Sequence, residues 1–280
     1  NRSNVSEVDL SRNTNLRELL MWETNLTEID LSNNVNLEGI RLDSSQISTL
    51  DLSNNPNLIN LIISSTLIDT IDLSNLTVLD RFESDYSAFT NIDFSNNPII
   101  NSIRTDGSLN LESINVKNTT LSELFIQANN NPNLNFICVD NVNEAAAQNW
   151  QIPPFTTFVT DCSLADGELN RIEGTVSYDA NGNNCGAGAY GIEGYLVNAT
   201  DGTSNFANTT VANGGYGITV SENTYTTHVL RLPPYFDANP ATATNTFVGF
   251  DKNQIADFCV QPNTTANDLT VAIFPINGAR

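Results

Sequence analysis

The sequence predicts a mainly β chain in two parts: a solenoid of 21-residue repeats closed by a C-terminal cap, then an antiparallel β-sandwich. Three observations carry that prediction. Five blocks of 21 residues, from Asn4–Thr24 to Ala88–Ser108, align without insertion or deletion. The periodicity stops near Cys162. From Arg171 onward, short alternating apolar runs stand between Gly- and Asn-rich turns.

Within a block the apolar residues recur as at Leu26, Ile29, Leu31, Leu37, Ile40 and Leu42, so the pattern L-x-x-L-x-L occurs twice per period. Each triplet reads as a short strand with its apolar side chains turned inward. A lone block cannot bury that face, whereas stacked blocks share one continuous core. A sixth block runs from Asn110 through Ile126 and reads as one residue shorter between Val116 and Leu121; Leu134, Ile137 and Val139 then restart the second triplet alone. The array so ends in a half-turn that needs a lid. Asn143 to Trp150 reads as a short capped helix, with Trp150 over the open core. The domain boundaries that follow are 1–162 for the solenoid and cap, 163–170 for a linker and 171–280 for the sandwich, whose strands are expected at 172–178, 194–197, 216–220, 226–232 and 269–274.

Eleven Lys and Arg against 32 Asp and Glu give a net charge of −21, which repels phosphate backbones and anionic membranes, so nucleic acid is excluded as a partner. No apolar run approaches the ~20 residues that span a bilayer, and no basic-then-apolar leader stands at Asn1; no direct membrane insertion is expected, and the chain reads as a processed or trimmed mature region. The four cysteines, Cys138, Cys162, Cys185 and Cys259, lie outside the regular repeats and form no C-x-x-C pair. They point to two disulfides rather than a metal site, hence to an oxidising, extracellular compartment. Cys138 and Cys162 would tie down the lid, contributing roughly 2–4 kcal/mol. Cys185 and Cys259 would staple a long loop to the sandwich.

The repeat resembles the leucine-rich repeats of bacterial surface proteins, in particular the variety of exported Bacteroidetes proteins, for which Asp51-Leu52-Ser53-Asn54-Asn55-Pro56-Asn57-Leu58 is nearly a consensus unit. The segment from Ile137-Cys138 through Trp150 to Asp161-Cys162 is similar to the cap of that family. The resemblance covers about half the chain, and it implies export by type IX secretion, a place at the bacterial cell surface and a ligand-binding concave sheet. The run Ile172 to Val197, I-x-G-x-V-x-Y-D-x-N-G and then G-I-x-G-Y-x-V, is similar to immunoglobulin-like or prealbumin-like B repeats. In those domains a D-x-N-x-D/N loop often holds Ca²⁺, which makes Asp179, Asn181 and Asn183 candidate ligands. Here Cys185-Gly186-Ala187-Gly188-Ala189 stands where further acidic ligands are expected. An Asx-rich turn with no required cofactor is the competing reading.

The two triplets differ in what they show to solvent. The first carries Asp9, Asp30, Asp51, Asp72 and Asp93, then Asn115, each aspartate followed two residues later by Ser. Aspartates one strand spacing apart, ~4.8 Å, repel by roughly 1 kcal/mol in water and about 3–4 at an effective dielectric near 20. Hydration, hydrogen bonds from the Ser and Asn columns, or cations must offset this; the regularity favours a backbone-bonded turn ladder. The second triplet varies from block to block. One outward column reads Leu20, Arg41, Ile62, Glu83, Arg104, Phe125, and the next Trp22, Asp43, Ser64, Asp85, Asp106, Gln127. Mixed aromatics, aliphatics and Arg are the composition of an interface. Inward Ser84 and Thr105 mark the least well packed stretch, through a bend, a buried water or weak repeats.

Motifs for catalysis are missing: the single histidine, His228, has no local nucleophile, and G-x-S-x-G, H-E-x-x-H and P-loop patterns do not occur. Asp43, Asp85 and Asp106 on an open sheet lack the apolar pocket a glycosidase acid needs. The sequence therefore predicts a non-enzymatic recognition or adhesion module that binds a protein or glycan, other cell-envelope proteins among them. The alternative is a structural spacer in a larger surface assembly.

Overall fold

A computed structural model describes residues 4–163, 169–180 and 185–263. Nine short strands build the repeat region: β1 (Glu18–Leu20), β2 (Gly39–Arg41), β3 (Asn60–Ile62), β4 (Arg81–Glu83), β5 (Asn91–Asp93), β6 (Ser102–Arg104), β7 (Ser113–Asn115), β8 (Phe125–Gln127) and β9 (Phe136–Cys138). The second triplets pair in parallel as one six-stranded sheet, β1-β2-β3-β4-β6-β8. Its register runs Leu19↔Ile40, Ile40↔Leu61, Leu61↔Phe82 and Phe82↔Ile103. These inward residues are buried in a core that extends through the whole stack.

The first triplet forms strands only from β5 onward. In the earlier blocks successive turns are joined there by single backbone bonds, Asn25 N–H to Val5 O at 3.0 Å, Gln46 to Leu26 at 2.9 Å and Leu67 to Ile47 at 2.9 Å. Charge accounts for the difference. A ladder would set like aspartates side by side, and it begins where the column changes, pairing Asp93 with Asn115 and Asn115 with Cys138.

Two expectations about the end of the array are corrected. The offset between equivalent residues grows to 22 at Ser113–Asn91 and 23 at Asn129–Asp106, so the sixth block is longer than its predecessors, not shorter. Consecutive turns, Glu123 N–H to Thr120 O at 3.1 Å and Leu124 N–H to Leu121 O at 3.3 Å, take up the added length and bury both leucines. The run from Leu134 to Val139 restarts the first triplet rather than the second, since β9 pairs with β7. The lid follows. Asn141 caps a helix α1 (Val142–Ala145), shorter than predicted, and accepts the Asn143 N–H at 2.9 Å. Trp150 lies beyond it, half-buried against the solenoid core, donates Nε1–H to Leu124 O at 2.8 Å and meets the Phe158 ring edge-on at 5.9 Å. Cys138 and Cys162 are joined as a disulfide.

The rest of the chain supplies β10 (Thr157–Val159), β11 (Asn170–Tyr178), β12 (Tyr190–Gly191), β13 (Leu196–Thr200), β14 (Asn205–Thr209), β15 (Gly215–Val220), β16 (Thr224–Leu230), β17 (Phe236–Asn239), β18 (Ala243–Thr246), β19 (Asn253–Ile255) and β20 (Phe258–Pro262). Asn170, assigned by sequence to the linker, already begins β11. An eight-stranded sheet, β18-β16-β13-β14-β10-β9-β7-β5, runs from this region into the solenoid without a break. The join is β10, parallel to β9 and antiparallel to β14, with Phe158↔Ala207 and Val159↔Phe206. Alternation along it serves two cores. Ile137, Phe158, Leu196 and Ala207 close the solenoid core, while Phe136, Cys138, Val159, Val197 and Phe206 belong to a second core with Ile172, Ile218 and Val260. The other sheet is not antiparallel throughout: β11 pairs antiparallel with β15 and β12 but parallel with β19 and β20. Cys185 is bonded to Cys259, which lies within β20. The strand expected at 269–274 falls outside the described residues.

Candidate recognition face

Strand alternation turns one side chain per second triplet inward and its neighbours outward, so the variable residues form columns across six parallel strands. The central column is Leu20, Arg41, Ile62, Glu83, Arg104 and then Gln127, because the longer sixth block shifts the register. Phe125, predicted to follow Arg104, instead stands beside Ser102. Gln127 thus leaves the column of Trp22, Asp43, Ser64, Asp85 and Asp106, which continues to Asn129. Phe125 is 39 % exposed and Leu20 58 %, with Trp22, Arg41 and Ile62 half-buried between solvent and sheet.

The two halves of the face are chemically distinct. Toward the C-terminal end the polar groups satisfy one another. Asp85 accepts the Asp106 N–H at 2.8 Å through Oδ1 and pairs with Arg104 Nε at 2.7 Å through Oδ2. Burial pushes the Asp85 carboxyl above the usual carboxylate range, against the pull of the Asp106 N–H and the Arg104 guanidinium. Asp106 in turn accepts the Asn129 N–H at 2.7 Å and the Gln127 amide, and Arg81 pairs with Glu83. Toward the N-terminal end, Arg41 lies over the Trp22 ring, 4.9 Å from its centroid, while its Nε holds Asp43 Oδ1 at 2.6 Å. Leu20 and Ile62 flank this stack in the central column, so an apolar patch there adjoins a self-neutralised polar half.

Tyr86 belongs to the face and was missed by sequence reasoning. It is 69 % exposed and sits in the turn after β4, at a position that is left-handed in each successive block: Glu23, Ser44, Ser65, Tyr86 and Gly107, with φ of 53°, 57°, 56°, 54° and 68°. Its ring lies on Gly107, where a Cβ would come within 2.6 Å of Tyr86 Cε1. The available signal was an aromatic in a turn column otherwise made of Glu, Ser and Gly.

The other candidates are placed as follows. The aspartate column forms turns: Asp9, Asp30, Asp51, Asp72 and Asp93 each accept the N–H of the Ser two residues on, at 2.8–2.9 Å. The Ser hydroxyl and then its N–H hold Asp9, Asp30 and Asp72 below the ordinary carboxylate pKa; for Asp51 the N–H comes first and the hydroxyl second. Thr105 enters a buried hydroxyl cluster in which Ser108 Oγ meets Ser87 Oγ at 3.0 Å and Thr105 Oγ1 at 3.3 Å. Ser84 contributes only its carbonyl, which accepts the Ser108 hydroxyl at 3.3 Å, and its own buried hydroxyl has no hydrogen-bond partner in the protein. Phe82, Phe89 and Phe94 restore the lost volume, the first and last meeting edge-on at 5.2 Å. Asp179 is buried and accepts the Cys185 N–H at 3.0 Å, whereas Asn181 and Asn183 fall outside the described residues. Among the described residues no three His, Cys, Asp or Glu side chains converge as a metal site, and no helix is long and apolar enough to cross a membrane.

No family model and no curated protein matches the chain. Among solved structures, the functional domain of InlJ from Listeria monocytogenes, described as including a cysteine ladder, aligns at a TM-score of 0.40 and 14 % identity over 92 % of this chain. The chain spans 60 % of the length of that structure.

Proposed function

We propose that the chain is a non-enzymatic recognition module of an exported bacterial surface protein, which binds a protein or glycan on the face built by β1, β2, β3, β4, β6 and β8. One observation carries this reading. On that sheet the central inward row, Leu19, Ile40, Leu61, Phe82, Ile103 and Ile126, stays apolar while the outward positions vary, and the variation leaves Leu20, the Trp22–Arg41 stack and Ile62 as an apolar patch that packing does not require. The patch suits an anchor residue of a partner, with the polar half supplying register. Two disulfides support export to an oxidising compartment.

The test is substitution of Trp22, Arg41, Ile62 and Phe125 by alanine, singly and together, read by binding of the 280-residue chain to glycan arrays and cell-envelope proteins. Loss of a central anchor should cost at least about 2 kcal/mol, roughly 30-fold in affinity, with circular dichroism unchanged. Binding that survives the fourfold variant removes the face from consideration. The spacer reading is favoured by the unbroken sheet between the two regions, which suits a rigid stalk; a chain that binds nothing in either screen supports it.

A further inference from the structure

A second polar concavity lies away from the repeat face, between the α1 cap and the outer side of β13, β14 and β16. It has a volume of about 220 Å³ and is lined by Asp140, Asn141, Thr160, Asn198, Thr200 and His228, among others. Strand alternation explains its chemistry. Val197 and Ala199 point into the second core, so Asn198 and Thr200 point the other way, toward α1. Leu196, Leu230 and Ala207 on this side cover the solenoid core; beyond them the same surface turns polar, with Asn198 directly across from His228.

Asn198 is the informative residue. It is 3 % exposed, its Nδ2 donates to Asn205 Oδ1 at 3.2 Å, and its Oδ1 has no hydrogen-bond partner in the protein. A buried amide oxygen left unpaired is costly, and because Asn198 lines the groove, a small rotation of its amide brings that oxygen to a donor seated there and relieves the cost.

We propose that this groove is a ligand site for a neutral, hydroxyl-rich molecule of about one sugar ring. The lining selects that class in three ways. Its amides and hydroxyls each donate and accept, as a sugar hydroxyl does, so the Asn198 amide is matched whichever way it is turned. Formal charge is confined to Asp140, and burial lowers the pKa of His228, so the imidazole is neutral near pH 7 and also donates and accepts. The net charge of −21 disfavours anionic ligands. The volume falls below the roughly 300–1,000 Å³ of drug-sized pockets, which fits one ring and not an extended chain, and Leu230 with Val142 gives the apolar face of such a ring a surface to lie on.

His228 is the single histidine of the chain, so its Hε1 resonance reports on this groove alone. Proton spectra are recorded during titration with free glucose, galactose, mannose and N-acetylglucosamine, each to about 100 mM, which covers dissociation constants in the millimolar range. At least one sugar is expected to move the resonance saturably. Asn198→Leu should abolish the movement, and Trp22→Ala should leave it intact. Should Asn198→Leu fail to fold, His228→Phe in a Trp22→Ala background, read by saturation transfer to the sugar protons, is expected to lose the signal of its parent. A resonance unmoved by all four sugars, a shift that persists in folded Asn198→Leu, or transfer undiminished in the His228→Phe chain overturns the proposal.

Discussion

Phe206→Ala is the sharpest perturbation of the joint between solenoid and following region. Phe206 is buried in β14, opposite Val159 of β10, and meets the Tyr225 ring edge-on at 5.4 Å. Truncating a phenylalanine so placed costs about 3–5 kcal/mol in lost transfer energy and cavity. With a urea slope of about 3 kcal/mol per molar, suited to a chain of this size, the unfolding midpoint should fall by roughly 1–1.7 M. The two tryptophans, Trp22 and Trp150, both belong to the solenoid and its cap, and the one histidine belongs to β16. Fluorescence and the His228 proton resonance therefore report separately on the two regions. Because β10 contributes Phe158 to one core and Val159 to the other, the midpoints read by both probes should fall together. A drop at His228 with the tryptophan midpoint unmoved would show that the shared sheet does not couple the regions, and would refute the argument from alternation.

Three further outcomes follow from particular side chains. Asn55 donates Nδ2 to Leu31 O at 3.3 Å and Asn34 O at 2.9 Å, while its Oδ1 is unpaired and buried; Asn55→Ala should cost about 1–3 kcal/mol in chemical denaturation, but Asn55→Leu much less, since the next block carries buried Leu76 there, and equal costs would contradict this. The folded-state pKa values of Asp9, Asp30, Asp51 and Asp72 are lowered, so their contribution to stability is complete above the unfolded carboxylate value near 4 and is lost as pH falls through the lowered values. The melting-temperature gap between the parent chain and Asp51→Ala should accordingly narrow as pH falls below about 4 and on through the lowered value of Asp51, and a gap independent of pH would count against the turn-ladder role. For calcium, Asp179 already spends Oδ2 on the Cys185 N–H, so calorimetric titration should give a dissociation constant no tighter than about 1 mM, and a micromolar value lost in Asp179→Ala would reverse that reading.

The parts of this fold legible in the sequence are those that repeat. Stacking forces equivalent residues into equivalent environments, so Leu19, Ile40, Leu61, Phe82 and Ile103 could be read as one buried row from spacing alone. Legibility failed where the spacing changed. One longer turn around Leu121 and Leu124 moved Phe125 from the Arg104 column to the Ser102 column, because a shift of two residues preserves the outward side of a strand and so leaves no trace in the apolar pattern. Tyr86 escaped for another reason: it occupies a left-handed turn, where the period-2 alternation used to pick outward strand residues does not apply. Strand β14, Asn205–Thr209, was also missed, since its Asn-Phe-Ala-Asn-Thr sequence turns small or polar residues to one side and carries one large apolar residue. It pairs on one side with its hairpin neighbour β13, but its other partner, β10, lies 45 or more residues away, a distance at which local pattern says nothing.

That distant pairing changes how the end of the solenoid is to be understood. A stack of repeats that ends in water needs a terminal unit with a polar outer face. Here the outward residues of β9 and β10 are Phe136, Cys138, Val159 and Thr157, all buried, with the Thr157 hydroxyl accepting the Thr219 N–H at 3.0 Å, and the Cys138 half of the lid disulfide lies inside the second core. An apolar outer face on the last turn is intelligible only if another layer covers it, and β13 and β14 extend the sheet while β11 and β15 supply that layer. The cap of the repeat array is thus the short helix with Trp150 on one side of the sheet and the layer of β11 and β15 on the other. The variable sheet is thereby tied through β9 and β10 to the described strands β11 to β20, as either a presented binding surface or a stiff spacer requires.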